Sequence, residues 1–178
     1  MPSHPLVLLA SARPGGDAAQ LTHAVFAPVE HTLVNLLDAP LYPYSYAGTY
    51  PADDAFPALV QQLLQHPVIV LVTPVYWYAM SGLLKTFFDR LTDLVTIAKP
   101  QGRQLLGKRL LVLAVGADAT LPTGFTVPFC LTADYFAMHF GGCWYYSQNQ
   151  PLAPAELAAW TQELRLAATA PEWPSAER

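Results

Sequence analysis

The feature that most constrains this chain is an alternation of short apolar runs with longer segments of helical periodicity. "PLVLLA" and "PVIVLVT" are continuously apolar, which is typical of strands covered on both faces. The predicted strands are residues 5–10, 31–37, 67–73, 108–116 and 141–147. The predicted helices are residues 17–27, 55–66, 81–95, 127–140 and 153–170. Five strands alternating with five helices predict an α/β fold, a doubly wound parallel sheet with helices on both faces.

Length and charge set the expected organisation. The 178 residues contain no linker or repeat, so we expect one domain over 1–178, with a loose tail at 171–178. Only 12% of residues are charged, against about 25% in an average soluble domain, which favours a homodimer or tetramer. The net charge is −4 without a cluster of Lys and Arg, so no nucleic-acid partner is expected. The absence of a signal peptide and of a long apolar run predicts a cytoplasmic protein without membrane insertion.

Several polar residues have structural interpretations. Cys130 and Cys143 form no CxxC pair and are interpreted as reduced thiols. The five histidines are scattered, so no metal site is predicted, and His139 is assigned a structural place near the end of the fourth helix. Lys85 and Asp89 have the i,i+4 spacing of a surface ion pair.

Other carboxylates are interpreted as helix caps. Asp53 and Asp54 precede the second helix and are predicted to cap it. Asp17, with Gln20 three residues later, resembles a capping box at the first helix. No G-x-S-x-G is present, so a serine hydrolase is not indicated.

The loops after strands one, three and four are the informative ones, because doubly wound sheets bind ligands beyond the carboxyl ends of their strands. After strand one, "SARPGG" offers a hydroxyl at Ser11, a guanidinium at Arg13 and two glycines that allow a tight turn around an anion. A capping carboxylate at Asp17 would repel a phosphate, so both fit only if the phosphate lies over residues 11–16. Alternatively, these residues merely form the turn.

After strand three, "TPVYWYAMSG" places Tyr76, Trp77 and Tyr78 in a row. Pro74 is expected to break the strand before them. Aromatic rings at this edge could stack on a flat heteroaromatic ligand, while their N–H groups meet its polar edge. Alternatively, the rings pack between subunits or under the tyrosine-rich segment 38–54. The residues alone leave both possibilities open.

The segment "TPVYWYAMSGLLKTFFDR" resembles the strand-three motif of the NAD(P)H-dependent FMN reductases and NAD(P)H:quinone oxidoreductases of the flavodoxin-like superfamily. "SARPGGDAAQL" is similar to the first loop of that family, and "DAPLYPYSYAGTYPADDAF" to its segment between strand two and helix two. The likeness covers roughly residues 5 to 150. It implies the flavodoxin-like strand order 2-1-3-4-5. The iron–sulfur flavoproteins carry a similar motif, but this chain lacks their cysteine cluster.

The resemblance implies bound FMN. The residues it assigns to the phosphate are Ser11, Arg13, Gly16, Asp17 and Ala18. The residues it assigns to the isoalloxazine ring are Pro74, Val75, Tyr76, Trp77 and Tyr78. The residues it assigns to the other edge of that ring are Gly116, Ala117 and Asp118. In that pattern Tyr76 and Trp77 lie nearest the flavin, while Tyr78 faces the pocket mouth or a partner subunit.

The expected function is transfer of electrons from NADH or NADPH, through FMN, to a quinone, a flavin or another small acceptor. No side chain is assigned as a catalytic acid or base, because the cofactor carries the chemistry. Two alternatives stay open. One is a flavodoxin-type electron carrier for a protein partner, although such carriers are usually more acidic. The other is a flavodoxin-like scaffold that no longer binds FMN, a possibility that the charge of Asp17 supports.

Overall fold

Five parallel strands form the central sheet of the computed structural model, which describes residues 3–169. The strands are β1 (Leu6–Leu9), β2 (Thr32–Asn35), β3 (Val68–Pro74), β4 (Arg109–Gly116) and β5 (His139–Ser147). Their order is β2-β1-β3-β4-β5, which confirms the flavodoxin-like prediction. In this order β1 pairs in parallel with both β2 and β3. The chain therefore adds β2 on one side of β1 and the later strands on the other side. The carboxyl ends of β1 and β3 therefore flank the switch point where ligands bind in such folds.

Helices cover both faces of the sheet. They are α1 (Asp17–Phe26), α2 (Phe56–Gln65), α3 (Gly82–Arg90), α4 (Lys99–Gly102), α5 (Val127–Tyr135) and α6 (Pro154–Thr169). The helices α2, α3 and α5 enclose one apolar core, and α1 and α6 enclose the other. Leu6 and Leu8 point into the first core, whereas Val7 and Leu9 point into the second. This alternation explains why the strand is apolar at every position.

The predicted fourth helix, residues 127–140, is wrong at its C-terminal end. The helix α5 stops at Tyr135, and β5 begins at His139, which pairs with Arg109. Ala137 lies between them with a φ of +54°, a left-handed conformation that commonly ends helices. His139 is therefore a strand residue, and the strand begins two residues before the predicted 141.

The predicted third helix, 81–95, is also too long as a single α-helix. The helix α3 ends at Arg90, and residues Leu91–Val95 continue as a 3₁₀ helix. The short helix α4 was not predicted. Residue 170 of the predicted last helix and the predicted loose tail at 171–178 lie outside the described residues.

A buried ion-pair cluster attaches the loop between β2 and α2 to the end of α3. The Arg90 guanidinium donates to both carboxylate oxygens of Asp54, at 2.9 and 2.7 Å, and to Asp93 Oδ2 at 2.9 Å. The side chains of all three residues are at most 5% exposed. The rings of Tyr50 and Phe56 lie 3.4 and 4.5 Å from the guanidinium carbon, close enough for cation–π contact.

The cap predicted at α2 is wrong for Asp53, and for Asp54 it is reduced to one long hydrogen bond. Asp53 accepts from the Tyr42 hydroxyl at 3.0 Å. The N-cap residue is Ala55, and Asp54 accepts from the Phe56 N–H only at 3.4 Å. The chief role of Asp54 is to neutralise Arg90 in the interior.

Candidate functional site

A cleft opens at the carboxyl edge of the sheet, between the ends of β1, β3 and β4. It encloses about 350 Å³. Every residue predicted to bind FMN lines it except Trp77, Tyr78 and Asp118. Val115 and Gln148 also line it and were not predicted. Gln148 directly follows β5, so the rule about carboxyl ends of strands could have found it if applied to the last strand as well.

The first turn of α1 points its free peptide groups into this cleft. Gly16 is the N-cap residue, and the first intrahelical bond runs from the Gln20 N–H to the Gly16 carbonyl at 3.0 Å. The N–H groups of residues 17–19 therefore have no helical acceptor. No side chain caps the helix. The capping box predicted for Asp17 is thus wrong, since Gln20 Nε2 donates to the Gly15 carbonyl instead.

The turn before α1 holds a cation beside these N–H groups. The Ser11 hydroxyl accepts from the Arg13 N–H at 3.3 Å, which shapes the turn. The aliphatic part of the Arg13 side chain lies over Gly16, where an added Cβ would be only 3.1 Å from Cδ of Arg13. Among the described residues, the guanidinium of Arg13 forms no ion pair. An anion in the cleft would meet a helix N-terminus and an uncompensated positive charge together.

Beyond β3 the chain forms a closed hairpin turn at residues 76–79. The Tyr76 N–H donates to the Ala79 carbonyl at 2.9 Å, and the Ala79 N–H donates back at 3.1 Å. Trp77 and Tyr78 form the two-residue loop with φ values of +50° and +64°. Their N–H groups have no acceptor among the described residues. Pro74 does not break the strand as expected, because it is the last residue of β3 and pairs with Val115.

Both legs of the hairpin are fixed to the sheet. On one side the Val75 N–H donates to the Val115 carbonyl at 2.7 Å. On the other side Ser81 is buried, accepts from the Leu84 N–H as the cap of α3, and donates to the Ala10 carbonyl at 2.7 Å. The Ser81 hydroxyl therefore connects the end of β1 to the start of α3, so the loop after β1 and the hairpin share one anchor.

The loop after β4 forms the opposite wall of the cleft. The Tyr145 hydroxyl donates to the Asp118 carbonyl at 2.8 Å, and Asn149 Nδ2 donates to the Ala117 carbonyl at 2.8 Å. Burial, and secondarily the charge of Asp118, raises the pKa of Tyr145, so its phenol remains a donor at neutral pH. A Cβ on Gly116 would lie 2.5 Å from that hydroxyl. A larger residue at this position would have to displace the Tyr145 ring that holds the loop.

The remaining polar residues lie away from the cleft. Lys85 Nζ pairs with Asp89 at 2.5 Å, as the spacing predicts. Burial raises the pKa of Cys143 to about 12, so this thiol is not a nucleophile at neutral pH. Within residues 3–169 no cluster of His, Cys, Asp or Glu is arranged to hold a metal ion, nor is any helix long and apolar enough to span a membrane.

The sheet order and the position of the cleft define the flavodoxin-like class, and solved structures agree. A Trp repressor binding protein from Bacillus subtilis superimposes with a TM-score of 0.66 at 24% identity, covering 98% of this chain and 99% of that one. An NADPH-quinone reductase from P. pentosaceus gives 0.67 at 20% identity, with 93% and 98% covered. An FMN-dependent NADH-azoreductase from Bacillus anthracis, solved in complex with FMN, gives 0.61 at 13% identity, with 93% and 98% covered.

Sequence comparison identifies the family within this class. Residues 5–122 match the family model of the NADPH-dependent FMN reductases, so the chain belongs to that family. YwqN of Bacillus subtilis, named an NAD(P)H-dependent FMN-containing oxidoreductase, is 28% identical over 121 residues. The match covers 63% of this chain and 66% of YwqN, just under two thirds of its length. The predictions of a reductase family, of FMN and of a nicotinamide nucleotide are confirmed at the level of the family.

Proposed function

We propose that this protein is an FMN-dependent oxidoreductase that takes electrons from NADH or NADPH and reduces a quinone, a flavin or another small acceptor. The observation that carries the proposal is the cleft itself. It combines the free N–H groups in the first turn of α1 with an aromatic hairpin, and it lies at the switch point of a flavodoxin-like sheet.

The residues of the cleft fit the two ends of FMN. The N–H groups of residues 17–19 and the Arg13 guanidinium suit a phosphate, because each can donate to an anionic oxygen. Asp17 does not use those N–H groups, so the objection that its carboxylate competes as a cap no longer holds. Val75 and Tyr76 provide an apolar wall for a flat ring, and the free N–H groups of Trp77 and Tyr78 suit its polar edge.

When bound, FMN supplies the redox chemistry, accepting a hydride from the nicotinamide and returning the electrons to the acceptor. The chain's own residues position the partners. The anchor at Ser81 holds the hairpin, and the Tyr145 hydroxyl holds the loop after β4, so the width of the cleft is preset before any ligand enters. Preset geometry reduces the entropy that is lost when the ligand binds.

Titration with FMN tests the cofactor site. We expect Arg13→Ala to weaken FMN binding by about 1.5–3 kcal/mol, the range for hydrogen bonds to charged groups. The matched control is Arg103→Ala, which removes an exposed arginine outside the cleft and should leave FMN affinity unchanged. A colourless wild-type protein that takes up no added FMN would contradict the proposal and favour the scaffold alternative.

A second measurement separates a reductase from an electron carrier. Mixing the FMN-loaded protein anaerobically with NADH or NADPH should bleach the flavin absorbance, and adding a quinone should restore it with repeated turnover. A flavin that stays oxidised under an excess of both nucleotides would favour the carrier.

We further propose that the protein is a homodimer, because α5 is apolar on two opposite sides. Phe129 and Ala133 are buried in the core, whereas Val127, Leu131 and Tyr135 are 51–68% exposed and follow each other at intervals of four. Open depressions of about 620 and 450 Å³ border this helix. A helix with apolar residues on two opposite faces is usually covered on both, and an exposed stripe on a single helix can pair with its own copy across a two-fold axis.

Sedimentation of the wild type and two charge variants tests this surface. Leu131→Glu should shift the protein from dimer to monomer. Ala159→Glu puts the same charge on an exposed position of α6, on the other side of the sheet, and should leave the dimer intact. A wild-type protein that sediments as a monomer at micromolar concentration would refute the homodimer.

A further inference from the structure

Two large aromatic residues occupy a backbone conformation that suits glycine. Trp77 and Tyr78 have φ values of +50° and +64°, and such two-residue hairpin loops prefer Asn-Gly. Elsewhere in residues 3–169, positive φ falls on glycine at five positions and on a non-glycine residue only at Ala137. For bulky residues a positive φ is a strained conformation, and strain of this kind concentrates at functional sites.

Within residues 3–169, neither core packing nor a side-chain hydrogen bond compensates for this strain. Trp77 is 92% exposed and Tyr78 is 68% exposed, so neither ring is packed in the core. Neither side chain takes part in a hydrogen bond among the described residues. A hairpin with Asn-Gly at its tip would keep every backbone bond of the turn at lower cost. The backbone of the turn therefore does not explain the presence of Trp77 and Tyr78, and the explanation must lie in their aromatic side chains.

The position of the tip indicates what the rings contact. They follow directly after Tyr76, which lines the cleft and is itself 48% exposed. Because both legs of the hairpin are hydrogen-bonded to the sheet or to the start of α3, the rings stand on a rigid base. Rigid aromatic rings at the mouth of a ligand cleft suit a flat conjugated molecule, which gains stacking without ordering a loop.

From this placement we infer that Trp77 and Tyr78 form a stacking platform that selects planar conjugated electron acceptors, of the quinone or flavin class, over compact ones. The inference rests on the proposed reductase function and assigns to its site an acceptor specificity. The peptide groups of the two residues remain available to FMN, while their side chains act on the acceptor.

The test compares the wild type with a variant that carries Trp77→Asn and Tyr78→Gly together. This change removes both rings but installs the residues that the turn prefers, so the hairpin and its N–H groups are kept. Relief of strain should raise Tm by about 4–8 °C. The matched control is Tyr46→Ala, which removes a 97% exposed ring from the loop between β2 and α2 and should change neither Tm nor activity appreciably.

Activity is measured on FMN-loaded protein with NADPH or NADH and two acceptors. One is 1,4-naphthoquinone, which is flat, and the other is ferricyanide, which offers no plane for stacking. We expect the ratio of kcat/KM for naphthoquinone to that for ferricyanide to fall by about 2–12-fold for each ring that stacks, chiefly through the KM for the quinone. The single variant Tyr78→Gly should show part of this fall.

Other outcomes would overturn the inference in distinguishable ways. An unchanged ratio with a higher Tm would mean that the rings have no part in acceptor choice. Loss of FMN from the double variant would assign the rings to the cofactor, and conversion to a monomer would assign them to the subunit interface. A wild type that fails to turn over with either acceptor would instead refute the proposed function, before any variant is made.

Discussion

Replacement of Arg90 by lysine tests whether the buried ion-pair cluster stabilises the fold. Lysine keeps the positive charge but loses the planar fork that reaches Asp54 and Asp93 together. The guanidinium donates three hydrogen bonds to these carboxylates and one to the Tyr42 carbonyl, and it contacts two aromatic rings. An ammonium group can satisfy only part of this set.

The expected loss can be estimated from these contacts. Loss of one or two hydrogen bonds to charged groups, at about 1.5–3 kcal/mol each, gives a destabilisation of about 3 kcal/mol for Arg90→Lys. For a chain of this size that corresponds to a fall in Tm of roughly 6–12 °C. The matched control is Lys85→Ala, which breaks the exposed pair with Asp89 and should cost less than about 1 kcal/mol.

Two measurements check the estimate. Thermal unfolding gives the change in Tm, and brief chymotrypsin treatment reports whether the loop between β2 and α2 has been released, through faster cleavage at Tyr44 and Tyr46. A change in Tm of less than 2 °C together with unchanged cleavage would refute the reasoning. The lysine ammonium would then satisfy the two carboxylates as well as the guanidinium does.

The same cluster predicts an acid-side loss of stability. Burial alone would raise the pKa of Asp54, but hydrogen bonds from Arg90 and the Phe56 N–H outweigh it, and the pKa lies below its ordinary value. A lowered pKa in the folded state gives stability that is present above the unfolded-state pKa, about 3.9, and is lost as the pH falls through the folded value. Asp54→Asn should therefore remove part of the dependence of Tm on pH between about 5 and 2.

Three further changes test the cleft and the thiols. Ser81→Ala should lower stability by about 2–4 kcal/mol in denaturant unfolding, because it removes the cap of α3 and takes the donor from the carbonyl of the buried residue Ala10. Gly116→Ala should weaken FMN binding in a titration, because the new methyl group displaces the hydroxyl of Tyr145 that holds the adjacent loop. Iodoacetamide at pH 8 should label Cys130 and leave Cys143 unmodified until the protein is unfolded, because burial raises the pKa of Cys143 to about 12.

The sheet could be predicted from the sequence because its central strands are buried on both faces. β1, β3 and β4 are apolar at nearly every position, which few other structures produce at that length. Their order required the resemblance to a known family, since periodicity gives the type of an element and not its neighbour.

The boundary between α5 and β5 could not be predicted, because composition does not change there. "YFAMHF" is apolar and aromatic on both sides of the break, and it contains neither glycine nor proline. The helix ends at Tyr135, and Ala137 then adopts a left-handed conformation. The Gly107 N–H, which donates to the Ala137 carbonyl at 2.9 Å, stabilises that conformation from outside the helix. Because this stabilising contact comes from a residue thirty positions away, the local sequence does not show where the helix ends.

The carboxylates were misassigned for a related physical reason. A carboxylate beside a helix start can cap the helix or can pair with a cation, and the sequence shows only the first possibility. Asp54 pairs with Arg90, which is 36 residues away in the chain. Asp17 caps nothing, because Gly16 already supplies the extended N-cap conformation. Local spacing identifies candidates for caps, whereas the tertiary contacts decide among the available partners.

The aromatic turn at residues 76–79 is the clearest case of local structure that the sequence does not predict. The sequence places three rings shortly after Pro74, which is expected to break the strand, yet β3 includes Pro74 and the chain then closes into a two-residue hairpin. Neither Asn-Gly nor any other sequence signal of such a hairpin is present. The turn closes because its legs are held from outside, at Val115 and at Ser81, so the backbone has no relaxed alternative. The positive φ values of Trp77 and Tyr78 are therefore imposed by the attachment of both legs of the turn, which no local sequence pattern records.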